Sequence, residues 1–344
     1  MVRYCTDMNQ AKVTDLDYIN FLVASPLVFS CTEAARVQPV GPHRAAHDAL
    51  TRLLTRLDPD PPPLWNEAQQ HVLLHDGLLI VDDTTLDKPY AQEIALVHRH
   101  WSGKHHRVVA GINLVTLLWS DGTDAIPCDY RFYDKPVDGV TKNEHFRAML
   151  TTAKMRGFRP RLVAFDSWYS SLENLKTVRS FEWHWLTRLK SNRLVNPDGT
   201  GNRALKDCDI SEDGTVVHLK GYGMIAVFRI VAPDGDTEYW ATDGLTMTPL
   251  EREAEADKVW TIEVYHRGLK QFCGVERCQA RSARAQRNHI GWALRAFLRL
   301  EHHRIRTGLS WFETKMGIIR AALQLYLSLP SPILMGLAQS PSTA

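Results

Sequence analysis

Runs of apolar residues alternate with turn-forming segments along the chain, and their lengths and periods separate strands from helices. Residues 78–81 are apolar at every position, which predicts a strand covered on both faces. Asp82 and Asp83 follow at once, and because Asp is rare inside strands, they are expected to mark the C-terminal end of this one. Residues 107–119 and 126–133 predict two more strands, which complete an antiparallel meander with the first.

A second series of elements follows the meander. The pattern predicts a helix over 141–156, a strand over 161–165, a helix over 170–180 and a strand over 181–189. Asp166 stands at the end of the apolar strand, as Asp83 does in the first. Three strands followed by helix, strand, helix and strand is the order of ribonuclease-H-like domains. The predicted fold class is therefore α/β, a ribonuclease-H-like mixed sheet flanked by helices, with Asp83 and Asp166 side by side.

The pattern changes again between residues 192 and 248, where short β-branched runs alternate with Asp-Gly turns. This composition predicts a β-rich insertion. Helical periodicity resumes at about residue 249, and a helix around Trp260 places Glu263 and Lys270, seven residues apart, on one face.

Residues 14–56 predict an N-terminal helical domain. Two short helices around the turn Gly41-Pro42 suggest a helix-turn-helix that presents His43, Arg44 and His47 to a DNA groove. A small helical cap with solvated basic residues is the alternative. The prolines of residues 58–63 predict a stiff linker and a domain boundary. The predicted division of the chain is 1–63 (helical DNA-binding region and linker), 64–191 (first part of the catalytic domain), 192–248 (insertion), 249–330 (completion of the catalytic domain) and 331–344 (tail).

Basic residues are concentrated towards the C-terminus. Residues 264–306 carry ten Lys and Arg against two acids, an excess larger than the formal net charge of +2 for all 344 residues. A run so dense and so close to Glu263 predicts a phosphate-binding track, for which a solvated surface is the alternative. The predicted DNA-binding residues are Lys270, Arg267, Trp260, Arg277, Arg281, Arg284, Arg287, Arg44 and His47.

Six unevenly spaced cysteines do not indicate a disulfide framework, and a reducing compartment is expected. The apolar stretch 318–337 is interrupted by Arg320, Pro330 and Pro332. It is therefore predicted to be a buried helix followed by a tail, not a membrane span.

Three segments carry the residues that stand out: Val81-Asp82-Asp83-Thr84-Thr85-Leu86-Asp87-Lys88-Pro89-Tyr90, Ala164-Phe165-Asp166-Ser167-Trp168-Tyr169 and Trp260-Thr261-Ile262-Glu263-Val264-Tyr265-His266-Arg267. In this order, with a β-rich insertion before the third, they resemble the DDE transposases of bacterial insertion sequences. The similarity is greatest to insertion sequence family four and its relatives.

The resemblance implies a transposase that binds the ends of an insertion sequence, cleaves DNA phosphodiester bonds and joins the 3′-hydroxyl ends to target DNA. Asp83, Asp166 and Glu263 would be the catalytic residues and the ligands of two Mg²⁺ ions, for which Mn²⁺ can substitute, because hard cations prefer carboxylate oxygens. The implied partners are terminal inverted repeats, target DNA and a second copy in a homodimeric synaptic complex, without a membrane. The implied location is the bacterial cytoplasm, at the nucleoid when bound.

Only one of the two adjacent aspartates can point into such a site, because successive strand residues face opposite ways. The resemblance implies Asp83, because the Asp that directly precedes Thr-Thr matches the family, and this leaves Asp82 and Thr84 as supporting residues.

Simpler roles exist for the other two carboxylates. Asp166 could cap the helix that follows it, and Glu263 could pair with Arg267 on the helix surface.

The helix of Glu263 departs from the family signature. Ala256 and Val259 stand where Tyr and Arg are expected, and Lys258 could supply a nearby positive charge. A decayed transposase that only binds element ends, and a ribonuclease-H-like nuclease that never joins strands, are therefore the alternative functions.

Overall fold

A computed structural model describes residues 12–39, 41, 44–59, 61–102, 106–232 and 235–329. The helices are α1 (Asp15–Ala24), α2 (Cys31–Arg36), α3 (His47–Arg56), α4 (Pro62–Ala68), α5 (Lys135–Asp138), α6 (Lys142–Met155), α7 (Leu172–Ser180), α8 (Pro249–Val259), α9 (Thr261–Phe272), α10 (Ala283–Thr307) and α11 (Trp311–Ser328). The strands are β1 (Leu78–Asp87), β2 (His98–Ser102), β3 (Arg107–Ser120), β4 (Ile126–Tyr133), β5 (Leu162–Phe165), β6 (Trp185–Leu189), β7 (Leu194–Asn196), β8 (Arg203–Ala204), β9 (Thr215–Leu219), β10 (Gly223–Val231) and β11 (Thr237–Thr242).

The strands form one mixed sheet whose centre has the order β4-β3-β1-β5-β6. Strands β4, β3 and β1 are antiparallel neighbours, whereas β5 runs parallel to both β1 and β6. The four residues of β1 from Leu78 to Val81 are buried on both faces, as their uniform apolarity predicts. The α/β, ribonuclease-H-like mixed sheet flanked by helices is therefore confirmed.

Helices cover both faces of this central sheet. Helix α6 begins with a capping box between Thr141 and Glu144, and its Phe146 ring contacts Phe165 of β5 at 5.0 Å. Helix α9 packs on the opposite face, where His266 faces Asp82 of β1. Because side chains alternate along a strand, odd-numbered residues of β1 near its middle point towards α6 and even-numbered ones towards α9.

The predicted β-rich segment extends the sheet. Strand β11 pairs antiparallel with β6, and β10 and β9 follow it in order. The turn-separated runs predicted in this region correspond to β9, β10 and β11, whereas the short pair β7 and β8 was not predicted. The strands of the β-rich segment and those of the central sheet thus form one continuous sheet.

The N-terminal helices pack against α10, which is buried over most of its length. The Tyr18 hydroxyl lies 3.0 Å from Nδ1 of His289, and the Asn288 amide donates to the carbonyl of Leu54 at 2.8 Å. Arg295 forms ion pairs with Asp15 and Glu67. These contacts join the N-terminal helices to the main core, while the division of the chain into domains stays a prediction.

Further observations complete the description of the fold. Helix α3 begins at His47 and Arg44 precedes it outside any helix, so of these two predicted DNA-binding residues only His47 lies on a helix. The segment His98–Ser102 pairs with β3 as a strand. The last turns of α11 are exposed rather than buried, with 69% of Leu325 and 71% of Leu327 accessible, because no other described element covers them. No described helix is both long and apolar enough to span a bilayer.

Candidate active site

Asp82 and Asp83 lie inside β1, which continues to Asp87, so the prediction that they end the strand was wrong. What ends beside them is the parallel pairing with β5, whose last pair is Val81 with Phe165. The residues that follow this last pair are Asp82 on β1 and Asp166 after β5. The register of the two strands therefore brings Asp82 and Asp166 next to each other where the pairing ends. Carboxyl ends of parallel strands are where α/β proteins place their ligands.

Asp83 points towards α6 and is fully engaged by the protein. Its Oδ2 accepts hydrogen bonds from Asn113 at 2.6 Å and from Lys142 at 2.7 Å, and its Oδ1 accepts one from the Tyr169 hydroxyl at 2.8 Å. Burial raises the pKa of Asp83, but the charge of Lys142 and these donors outweigh it and leave the pKa below its ordinary value. Asp83 is therefore an ionised carboxylate whose two oxygens already have partners.

Asp82 points to the opposite face, towards α9. Its Oδ2 lies 4.0 Å from Nδ1 of His266, too far for a hydrogen bond. Burial, and then the charges of Asp83, Asp166 and Glu263, raise the pKa of Asp82 well above its ordinary value. Burial also lowers the pKa of His266 to about 3, so this ring is neutral at pH 7 and does not compensate the carboxylate.

Asp166 follows β5 directly and begins a tight turn. Its Oδ1 accepts a hydrogen bond from the backbone N–H of Trp168 at 2.9 Å. Burial, followed by the charge of Asp83, raises the pKa of Asp166. The side chain that caps α7 is Ser171, so Asp166 does not have the simple helix-capping role that the sequence allowed.

Glu263 lies in the first turn of α9 and is exposed. No ion pair joins it to Arg267 or to any other residue that the structure describes, so the simple surface pairing that the sequence allowed is not formed. It lines a cleft of about 770 Å³ with Thr84, Trp260, His266, Arg267, Lys270 and Arg277. The Lys270 ammonium donates to the carbonyl of Thr85 at 2.8 Å, which fixes its charge beside β1.

The predicted basic track divides into paired and unpaired residues. Arg281, Arg284 and Arg287 lie 2.8, 2.7 and 3.5 Å from Glu93, Asp58 and Asp134 respectively. Arg267 and Arg277 are exposed on the wall of the cleft, and within the described part of the chain neither has an ion-pair partner. Lys270, on the same wall, lies 3.5 Å from Glu276, so Arg267 and Arg277 are the cleft's cations without a described ion-pair partner.

The N-terminal candidates lie elsewhere. The Arg44 guanidinium donates to the carbonyls of Ala35 and Arg36, which satisfies the C-terminal end of α2. His47 is exposed at the first position of α3, and His43 lies outside the described residues.

The carboxylates suit a divalent cation in kind and in charge. Asp82, Asp166 and Glu263 offer the hard oxygen atoms that Mg²⁺ and Mn²⁺ bind, and the repulsion at Asp82 is of the kind that a cation relieves. Over the described ranges, however, no three His, Cys, Asp or Glu side chains are already close enough together to enclose one ion. Both oxygens of Asp83 already accept hydrogen bonds, two at Oδ2 and one at Oδ1.

Sequence reasoning missed the residues that support the two aspartates. Lys142 is an ordinary polar residue at the start of α6, yet it binds Asp83 of β1. Asn113 is a buried polar residue within an apolar strand, and that contrast was the available signal. His266 fits the apolar face of its helix and so gave no sign that it lies beside Asp82.

The chain is similar to a protein-family model and to solved structures. The family model described as "DDE superfamily endonuclease" matches residues 30–205 of this chain. A search of curated proteins found no significant match. Among solved structures, the cryo-EM structure of the piggyBac transposase synaptic complex with hairpin DNA covers 100% of this chain and 76% of its own, with a TM-score of 0.51 and 12% identity. The crystal structure of the Mos1 strand transfer complex covers 54% of this chain and 60% of its own, with a TM-score of 0.20 and 10% identity.

Proposed function

The chain belongs to the DDE superfamily of endonucleases, and from this premise we propose that it is a transposase whose metal ligands are Asp82, Asp166 and Glu263. The observation that supports this choice is that Asp82 on β1, Asp166 at the end of β5 and Glu263 in the first turn of α9 lie near one another: burial, and then the charges of Asp83, Asp166 and Glu263, raise the pKa of Asp82. Asp83 takes the supporting role that the sequence gave to Asp82, because its oxygens are bound by Asn113, Lys142 and Tyr169.

Divalent metal is part of the proposal. Two Mg²⁺ ions, with Mn²⁺ as substitute, would stabilise the charge that develops on the attacking and leaving oxygens of a phosphodiester. Asp82, Asp166 and Glu263 are the residues that would hold them.

The cleft residues have proposed roles in holding the DNA backbone. Arg267 and Arg277 are exposed cations without a described ion-pair partner, as phosphate contacts require. Lys270 is tied to the Thr85 carbonyl, so its charge stays beside the strand that carries Asp82. Trp260, 63% exposed beside Glu263, offers an apolar surface at the same mouth.

Strand joining, recognition of terminal inverted repeats and assembly as a homodimer on paired ends complete the proposal. They follow from the sequence motifs that resemble insertion sequence family four. The structural neighbour titled as a piggyBac transposase synaptic complex is a DNA complex and agrees with DNA as the partner. The cytoplasmic location stays a prediction.

Loss of catalysis is the second candidate. Lys258, which could have replaced the expected Arg before Glu263, is bound by Glu255 at 3.0 Å. Together with Ala256 and Val259, this leaves α8 without a free cation at the position that the family signature fills, which favours a protein that only binds element ends.

Cleavage of a labelled duplex that carries the element's own terminal repeat separates these functions. Wild type and Glu263→Ala are compared with Mg²⁺ and with EDTA. Cutting that requires both the metal and Glu263 supports the nuclease, and joined products in the same reaction support the transposase. Specific binding without cutting in Mg²⁺ or Mn²⁺ would leave the binding-only protein.

A further inference from the structure

The last turns of α11 present an apolar helix to solvent. Every residue from 320 to 329, a segment named here the α11 tip, is exposed. Arg320, Gln324 and Ser328 are spaced by four residues, so these polar side chains form a single stripe along the helix. The other seven residues of the tip are Ala, Leu or Tyr. A helix with so wide an apolar face is normally buried, so a partner surface is expected for this one.

An apolar groove of about 580 Å³ lies beside the base of the same helix. It is formed by α1, residues 25–28 and the end of α2, and is named here the α1–α2 groove. Leu27 and Val28 are 79% and 52% exposed in it. The Lys315 ammonium donates to the carbonyl of Ser25, which lines the groove, at 2.7 Å, so the base of α11 is fixed there. Because the tip and the groove are both open, the tip does not fill the groove of its own copy.

We infer that the α11 tip of one copy docks in the α1–α2 groove of a second copy, which returns the contact with its own tip. The inference rests on the proposed function, because it names the surfaces that join the two copies of the proposed homodimer. Such a reciprocal exchange has two-fold symmetry and closes with two copies. Pro26 and Leu27 line both the groove and the active-site cleft, so the tip of the second copy lies at the edge of that cleft.

The exposed area is large enough for a stable dimer. The four leucines of the tip, Leu323, Leu325, Leu327 and Leu329, are exposed by 54%, 69%, 71% and 79% respectively. With the neighbouring apolar side chains they present on the order of 500 Å², comparable with the largest apolar patches found on monomeric proteins. Two tips and the groove surfaces that cover them would bury about 2,000 Å² in total, whereas specific interfaces bury roughly 1,200–2,000 Å².

Shape and charge favour the groove over pairing of the two tips with each other. A single facing helix would cover one side of the tip, whereas the groove is lined by two helices and covers more of the apolar circumference. Arg320 is the charged residue of the tip, and the charged residues of the described groove lining are Asp17 and Glu33. The two surfaces therefore carry opposite charges, which favours their association.

Sedimentation of the full-length protein without DNA or metal tests the inference. Wild type is compared with Leu325→Asp on the tip, Val28→Lys in the groove and Gln324→Asp, which introduces the same side chain on the polar stripe. All three residues are exposed, so each variant is expected to fold, and circular dichroism confirms it. Leu325→Asp and Val28→Lys should each weaken dimerisation at least about a hundredfold, because each occurs in both contacts, and Gln324→Asp less than about threefold.

An equimolar mixture of Leu325→Asp and Val28→Lys separates the exchange from other dimers. A mixed dimer has one unaltered contact and one in which the new Asp and Lys meet, so the mixture should dimerise more tightly than either variant alone. Wild type that stays monomeric would overturn the inference, as would a mixture without this gain. A dimer that Val28→Lys leaves intact would also overturn it, because the tips would then pair with each other. Failure of the proposed function has a separate signature, which is a wild-type dimer that does not cleave DNA in Mg²⁺.

Discussion

Lys142 holds the Asp83 carboxylate, and replacing it with Met tests how much this pair stabilises the fold. Both side chains are nearly buried, with 16% and 17% of their surface exposed. A hydrogen bond to a charged group contributes about 1.5–3 kcal/mol, and breaking a fully buried ion pair costs about 3–5 kcal/mol. Because Asn113 and Tyr169 still hold Asp83, and some water reaches it, we expect Lys142→Met to lower the free energy of unfolding by about 2–3 kcal/mol.

Replacing the other member of the pair, by Asp83→Asn, is expected to lower the free energy of unfolding by a smaller amount. It breaks the same ion pair, but it also removes a negative charge that, after burial, raises the pKa of both Asp82 and Asp166. We expect a loss of about 1 kcal/mol, and the double variant should be no less stable than Lys142→Met alone. The coupling energy of the pair is then at least about 1 kcal/mol.

Urea unfolding at pH 7, followed by circular dichroism, measures the free energy of unfolding of wild type, the two single variants and the double variant. Lys190→Met is the matched control. Lys190 also lies over the Trp168 ring, but it has no ion-pair partner among the residues that the structure describes. Its replacement should change the free energy of unfolding by less than about 0.5 kcal/mol. Losses that add without coupling would refute the view that Lys142 compensates Asp83.

The pH dependence of the same variant has a defined sign. The pKa of Asp83 is below its ordinary value, so its ionised form stabilises the folded protein above the ordinary pKa of about 4. That contribution is lost as the pH falls through the lower folded-state pKa. The difference in stability between wild type and Lys142→Met should therefore shrink below about pH 4, and a difference that persists there would identify another partner for Lys142.

Two further predictions concern the other face of the site. Asp82→Asn should raise the melting temperature of the metal-free protein at pH 7. The folded-state pKa of Asp82 is raised, so its ionisation opposes folding as the pH rises above the ordinary pKa. An unchanged or lower melting temperature would contradict the repulsion at Asp82. The double variant Arg267→Ala and Arg277→Ala should reduce the slope of log affinity for DNA against log salt concentration by about 2. The double variant Arg281→Ala and Arg284→Ala should leave that slope nearly unchanged, because both guanidinium groups are paired with acids. The opposite pattern would support the predicted phosphate-binding track at Arg281 and Arg284.

Much of the fold could be predicted from the sequence because apolar runs and turn residues report it locally. The strand 78–81, the helix that starts with the capping box at Thr141 and the β-rich insertion each carry such a signal. The strand His98–Ser102 carries none, since it is polar and becomes a strand only by pairing with β3. The apolar end of α11 predicted burial, but burial depends on which other element covers it.

The site is harder to predict than the fold because the sequence shows charged residues but not their ion-pair partners, which lie far away along the chain. The dense arginines of α10 indicated a phosphate track, yet in the folded chain Arg284 and Arg287 meet Asp58 and Asp134 from distant segments. The choice between Asp82 and Asp83 likewise depends on Lys142, which is remote in sequence and adjacent in space. Local motifs point to the stretch 81–85, and only the alternation of the strand against α6 and α9 separates the two residues.

Cleavage of an end-labelled terminal-repeat duplex in Mg²⁺ by Asp82→Asn and Asp83→Asn tests the central claim most directly. Glu263→Gln serves as the inactive reference, and circular dichroism confirms that each variant is folded. The account predicts that Asp82→Asn is as inactive as Glu263→Gln while Asp83→Asn still cuts. Cleavage by Asp82→Asn, with none by Asp83→Asn, would contradict it and return the ligand role to Asp83.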